Sequence, residues 1–270
     1  MKKCAILVIA SICQDKYKSY IKNYWSFMIR NTKNNPNLDI YLLFDYGVDI
    51  SDYSDIRDHI IVDLNSNYNG FTEDNIKCRS YIPGILSKTV FSFKLLRDKY
   101  DIFFRTNLSS MIIVNNILDY INNNNICYSG FYVWGNALRS NLICRNLVGK
   151  NSSIKDISDL QEYPGNTFIS GSGYFLNSTE VDDIVKNEEK IRYDIIDDVS
   201  IGLMIEKHKC IDIKYHLKVR ENDTVNDIIL WINKHITEKG FHIRTENFSN
   251  DKVLELYNVL KKTDKLKYFC

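Results

Sequence analysis

The chain has 270 residues, of which 44% are hydrophobic and 26% charged, and its formal net charge is +1. That is an ordinary composition for a globular protein with a sizeable core. A nearly balanced charge excludes the bulk electrostatic attraction that nucleic acids and membrane surfaces exert, so any basic site has to be local. The seven cysteines are scattered and form no C-x-x-C pair. They argue against a zinc site or a disulfide framework and fit reduced thiols in a cytoplasmic setting. No apolar run approaches the roughly 20 residues needed to cross a bilayer, so no membrane span is expected.

Lys2-Lys3 followed by CAILVIASIC reads either as the start of a signal peptide or as a first buried strand. Gln14-Asp15-Lys16 follows at once without a small-residue cleavage site, so the strand, over residues 3–10, is preferred. Residues 17–31 place Tyr20, Ile21, Tyr24, Trp25, Phe27 and Met28 at helical spacing. Strands follow at 38–44 and 59–64, the first ending in the turn Asp45-Tyr46-Gly47. Residues 65–74 read as a polar loop. Pro83-Gly84 suits a helix start, and the spacing of Ile85, Leu86, Val90, Phe93 and Leu96 predicts a helix over 83–97.

That helix feeds the stretch 100–114, YDIFFRTNLSSMIIV, around which the chain is organised. Residues 101–104 read as a buried strand, broken by the polar cluster Arg105-Thr106-Asn107-Leu108-Ser109-Ser110. The rhythm is βαβ, whose usual product is a parallel sheet. In such sheets ligands bind beyond the carboxyl ends of the strands. A cationic, hydroxyl-rich cluster there suits a polyanion such as a nucleotide diphosphate, or is equally a surface charge and a turn.

Further on, residues 115–120 suggest a short helix, 126–131 a strand, and 139–164 an irregular loop over the site. TFISGSGYFL, at 167–176, is a strand interrupted by Gly171-Ser172-Gly173, and glycines inside a strand often admit a ligand close to the backbone. Residues 178–187 form a helix with Ser178 or Thr179 as its cap. Asp197-Asp198 opens another helix, where the pair either complements the helix dipole or supplies a general base. A late strand spans 210–215, and 224–235 fits helix or strand. His242 and Arg244 share one face of a strand at 241–244, which suits a pyrophosphate or is a surface pair. A terminal helix covers 250–262. Without a repeat or a Pro/Gly/Ser-rich linker, one domain over 1–270 is expected.

In this order the motifs resemble those of inverting glycosyltransferases of the GT-A fold, of the β-1,3-galactosyltransferase and Fringe type. In that family a motif like YxNLTxKT precedes a strand carrying an Asp-rich metal motif, in a string like KTDDDVFV. Residues 81–89, YIPGILSKT, and 104–114, FRTNLSSMIIV, stand in those places. Gly171-Ser172-Gly173-Tyr174 matches a later GxGY, and Asp197-Asp198-Val199-Ser200-Ile201-Gly202 matches EDVxxG. His242 is the counterpart of a donor-site histidine. The Arg-Thr-Asn-Leu-Ser-Ser strand is also similar to glycosyltransferase-like proteins of large DNA viruses, which would place the chain in a host cytoplasm.

The resemblance, over residues 79–244, implies a mainly parallel α/β sheet flanked by helices and transfer of a sugar from a nucleotide-sugar donor, UDP-linked, to a glycan or glycoprotein acceptor. Asp198, beside Asp197, would act as base. Ser11, Asp45, Lys88, Arg105, Thr106, Asn107, Ser109, His242 and Arg244 would hold the donor, and Gly171, Ser172 and Gly173 would face the acceptor. The chain departs from the family where Asn107-Leu108-Ser109 replaces the acidic triplet. Mn²⁺ and Mg²⁺ want hard, preferably anionic oxygens. Either such an ion is held weakly with the donor diphosphate, or cationic side chains take its place. Two other classes stay open: a glycosyltransferase-like module that binds a nucleotide or glycan without turnover, and a phosphohydrolase using Asp45, which lacks a second Asp two residues on.

Overall fold

The computed structural model describes residues 1–12, 14–63, 82–131, 133–134, 168–193, 197–205, 210–214, 216–235 and 239–270. The first strand, β1 (Cys4–Ile9), is buried along its whole length. Its side chains alternate between two cores: Cys4, Ile6 and Val8 enter one, while Ala5, Leu7 and Ile9 enter the other. A strand covered on both faces has no polar position to fill, hence the unbroken apolar run.

A helix follows in three parts: α1 (Asp15–Tyr20), a π-helical turn (Ile21–Trp25) and α2 (Ser26–Thr32). Three aromatic side chains of this helix bind backbone far along the chain. The Tyr20 hydroxyl donates to the Thr245 carbonyl at 3.0 Å, and Trp25 Nε1 donates to the Leu108 carbonyl at 2.9 Å. The Tyr24 hydroxyl donates to the Ile112 carbonyl at 3.1 Å and accepts the Ile112 N–H at 2.7 Å.

The chain continues through β2 (Leu38–Asp45), β3 (Ile60–Asp63), α3 (Ile82–Leu96) and β4 (Ile102–Asn107). Leu108-Ser109 then turns into β5 (Ser110–Ile112), followed by α4 (Val114–Asn123) and β6 (Tyr128–Gly130). Next come a two-stranded ribbon of β7 (Val133–Trp134) and β8 (Phe168–Ile169), then β9 (Gly173–Asn177) and α5 (Ser178–Lys186). The last elements are α6 (Asp197–Leu203), β10 (Cys210–Asp212), β11 (His216–Lys218), α7 (Val225–His235), β12 (His242–Arg244) and α8 (Asn250–Lys262).

The central sheet has the order β10-β6-β9-β4-β1-β2-β3. Every neighbouring pair is parallel except those of β9, which runs antiparallel to both β4 and β6. The first helix, α4, α7 and α8 pack on one face, and α3, α5 and α6 on the other. This is the mainly parallel α/β arrangement that was expected. A smaller sheet, β11-β12-β5, grows from the end of β4.

The direction of β9 decides what stands at the carboxyl edge. Its start, not its end, lies there, with Thr106 opposite Gly173 and Arg105 opposite Tyr174. The preceding Gly171-Ser172 turn is thereby carried to the ends of β1, β2 and β4.

Several expectations need correction. The strand at 101–104 does not break at Arg105; it continues to Asn107 because β1 and β9 pair it on both sides. The cap of α5 is Asn177, whose side chain accepts the Glu180 N–H at 2.8 Å, and not Ser178 or Thr179. Residues 224–235 resolve as helix, and β5 and β11 had not been anticipated. The loops expected at 65–74 and 139–164 lie outside the described residues.

His216 and His242 join the smaller sheet to β4. Their Nδ1 atoms are 2.6 Å apart, His242 Nε2 is 3.1 Å from the Thr106 hydroxyl, and both rings stack on Phe131. A hydrogen bond between two ring nitrogens needs one of them bare. Burial holds His216 neutral, lowering its pKa from 6.5 to about 3, and it holds His242 well below its usual range. The unfolded chain binds these protons near 6.5 and the fold does not, so stability is complete above that pH and declines as pH falls below it. Each histidine kept neutral should cost about 1.4 kcal/mol per pH unit over this window. Urea titrations at several pH values should show a shallower decline for His216→Gln than for the wild type.

Gly130 marks a close backbone crossing. A Cβ there would meet the Gly173 carbonyl and an Ile169 methyl, each at 2.5 Å. Gly130→Ala should therefore destabilise by about 1–3 kcal/mol, as overpacking does, and the urea midpoint should fall accordingly.

Candidate active site

A cavity of about 340 Å³ opens at the carboxyl edge of the central sheet. Its size is within the range of small-molecule sites. Four elements contribute the charged residues on one side of it. β2 ends in Asp45, α3 carries Lys88, β4 carries Arg105, and α6 begins with Asp197 and Asp198.

Lys88 is 2% exposed; its ammonium donates to Asp45 Oδ2 at 2.8 Å and to the Ala10 carbonyl at 3.2 Å. Burial lowers its pKa, and the Asp45 carboxylate opposes that. The second oxygen of Asp45, Oδ1, is buried and has no hydrogen-bond partner among the described residues. A buried acceptor left in this state favours a ligand that brings a donor.

Arg105 is likewise 2% exposed. One arm donates to Asp197 Oδ2 at 2.7 Å and the other to the Gly171 carbonyl, while the guanidinium lies 5.7 Å from the centre of the Tyr174 ring. Asn107 Nδ2 donates to the same Gly171 carbonyl at 2.7 Å. The absence of a side chain at Gly171 matters here, since a Cβ would come within 2.8 Å of Arg105 Nη1.

Asp198 is held differently from Asp197. It accepts the Gly171 N–H at 3.0 Å and the Val199 N–H at 2.9 Å, and no cation lies within ion-pair distance of it among the described residues. Burial and the adjacent Asp197 push its carboxyl up to about 7, against the two N–H bonds and Arg105, which pull it down. A carboxyl with a pKa near neutrality is poised to accept a proton.

On the other side of the cavity, Arg244 donates to the Ser172 hydroxyl at 2.6 Å and pairs with Glu246 at 2.5 Å. Lys16, on the first turn of α1, donates to the Glu246 carbonyl at 2.5 Å.

The fold thus brings Ser11, Asp45, Lys88, Arg105, Asn107, Ser109, Gly171, Ser172, Asp197, Asp198 and Arg244 to one cavity. Thr106, Gly173 and His242 stand behind the wall and not on it. Thr106 and His242 are fully buried and bonded to each other, and Gly173 packs on Phe131 and Phe104. Lys16 and Glu246 line the cavity without having been singled out, as do Gln14 and Tyr17. Tyr17 reads as an ordinary member of the predicted helix, Lys16 as part of the polar stretch just before it, and Glu246 follows a short strand two positions after Arg244.

The residues at the expected metal motif do not fit a divalent cation. Asn107 and Ser109 offer only neutral oxygens where hard cations prefer carboxylates, and Asp45, Asp197 and Glu246 are each bound to a cationic side chain. Among the described residues no group of three or more His, Cys, Asp or Glu gathers as a ligand set. No helix of the described residues is long and apolar enough to cross a membrane.

A search of curated proteins finds no match. The galactosyltransferase family model matches residues 48–216, which take in α3, the Arg105 strand, the Gly171 turn and the Asp197-Asp198 helix. That span is well over half of the chain, and with its α/β sheet and the carboxylate pair at the strand ends the chain belongs to the galactosyltransferase family, as a glycosyltransferase.

Proposed function

We propose that the protein moves a sugar from a UDP-linked donor to a hydroxyl group of a glycan or glycoprotein acceptor, with inversion at the anomeric carbon, and that residues 1–270 act as one domain. The observation that carries this reading is the division between the two adjacent carboxylates: Asp197 is neutralised by Arg105, while Asp198, among the described residues, is held by backbone N–H groups alone. Asp198 is therefore the general base. The acceptor oxygen attacks the anomeric carbon as its proton passes to Asp198. The bond from that carbon to the phosphate oxygen breaks, and its electron pair leaves with UDP. Asp197 and Arg105 keep the base in place.

Other cavity residues take roles consistent with their positions. Asp45 Oδ1 accepts a hydrogen bond from the base or ribose, with Ser11 beside it. Asn107 and Ser109 line the donor path. Gly171 and Ser172 face the acceptor, close to the base they support.

The test is release of UDP from UDP-galactose and other UDP-hexoses in the presence of glycan acceptors. Asp198→Asn should lower kcat by about 10²–10⁴-fold, the usual contribution of a general base, while the circular dichroism spectrum and Tm stay near those of the wild type. Turnover close to wild type would overturn the assignment, and retention of anomeric configuration in the product would overturn inversion.

Since Asp198 works unprotonated and its pKa is raised to about 7, the rate should climb as pH rises through that value and then level off. Asp197→Asn removes the neighbouring negative charge, so the acidic limb should move to lower pH.

A further inference from the structure

Eight charged side chains line the cavity: four cationic and four acidic. Three cations are matched to three carboxylates, Lys88 with Asp45, Arg105 with Asp197 and Arg244 with Glu246, the last of which also holds Lys218 at 2.7 Å from outside the cavity. One of each sign is left over. The unmatched carboxylate is Asp198, and the unmatched cation is Lys16. Among the described residues Lys16 has no carboxylate within ion-pair distance, and its ammonium uses one of three N–H donors, on the Glu246 carbonyl.

The location of Lys16 gives its charge a purpose. Glu246 adjoins Thr245, whose N–H and hydroxyl both donate to the Ser109 carbonyl, at 2.8 and 3.0 Å. Tyr20, one turn beyond Lys16, binds the Thr245 carbonyl and hydroxyl at 3.0 and 2.7 Å. Lys16 is thus tied to the segment that Thr245 bonds to the β4–β5 turn, and it lines the same cavity as Asn107-Leu108-Ser109, which stands in place of an acidic motif. Arg244 reaches the same region through Ser172.

We infer that Lys16, seconded by Arg244, receives the diphosphate of the donor directly, so that the protein captures a nucleoside diphosphate and stabilises its departure without a divalent cation. This rests on the sugar-nucleotide reading. As the anomeric bond breaks, the negative charge gathering on the leaving phosphate meets an ammonium that feels the Glu246 carboxylate at a distance but that no carboxylate among the described residues holds at ion-pair distance. A preorganised cation aimed at developing charge is a large source of rate enhancement.

The experiment is calorimetry with UDP and with uridine, each in EDTA and in excess Mn²⁺. Wild-type protein should bind UDP in EDTA, with Mn²⁺ changing the Kd by less than about threefold. Lys16→Met should weaken UDP at least tenfold and leave uridine unchanged, which also reports an intact fold, while Lys16→Arg should retain most of the affinity. If Lys16→Met leaves the preference for UDP over uridine as it was, or if wild-type protein binds UDP only with Mn²⁺, the inference falls while the sugar-nucleotide reading stands. If wild-type protein binds neither compound under any condition, both fall.

Discussion

A guanidinium buried at the centre of a sheet has to be neutralised where it stands, because an uncompensated charge in that position costs several kcal/mol. Arg105 satisfies this with two partners from distant parts of the chain. Asp197 supplies the counter-charge and the Gly171 carbonyl takes the other arm. That requirement brings α6 and the turn before β9 to the end of β4. It also separates two neighbouring carboxylates into unlike chemical states, since the one that meets Arg105 is committed and the next is not. The candidate active site follows from satisfying this one charge.

The same economy governs the rest of the cavity. Buried ions come in pairs, and the pairs fix the geometry of the wall more than they contribute to stability. What remains outside an ion pair among the described residues is then conspicuous: a carboxylate between two backbone N–H groups, an ammonium on a helix start, and one oxygen of Asp45. A wall with two charges outside any ion pair and one carboxylate oxygen without a hydrogen bond, among the described residues, is complementary to a ligand that has a hydroxyl to deprotonate, a negative charge to hold and a donor to offer.

Much of this architecture could be read in the residues. The continuous apolar runs of β1 and β2, the spacing in α3 and the terminal helix all identified themselves, because burial imposes a period that side chains record. Arg105-Thr106-Asn107 misled, since polar residues inside a strand look like a loop until its two neighbours are known. The direction of β9 left no trace, as a period of two is the same forwards and backwards. The motif position of His242 and the face it shares with Arg244 point to a ligand contact, and only the packing of β12 against β5 and β11 shows it stacked on Phe131 behind Thr106. Lys16 had no signal at all: an exposed helical lysine and a lysine leaning into a cleft are spelled alike.

The π-helical turn has a consequence beyond its own segment. Tyr24 and Trp25 grip the main chain at Ile112 and Leu108, and Tyr20 grips it at Thr245, so the floor of the cleft is suspended from the first helix mainly by peptide groups, with the Thr245 hydroxyl the one side chain of the floor named in these bonds. A platform clamped through its backbone can exchange the chemistry it displays without altering its shape. Acidic residues there can give way to amide and hydroxyl ones, and the scaffold underneath keeps the same form.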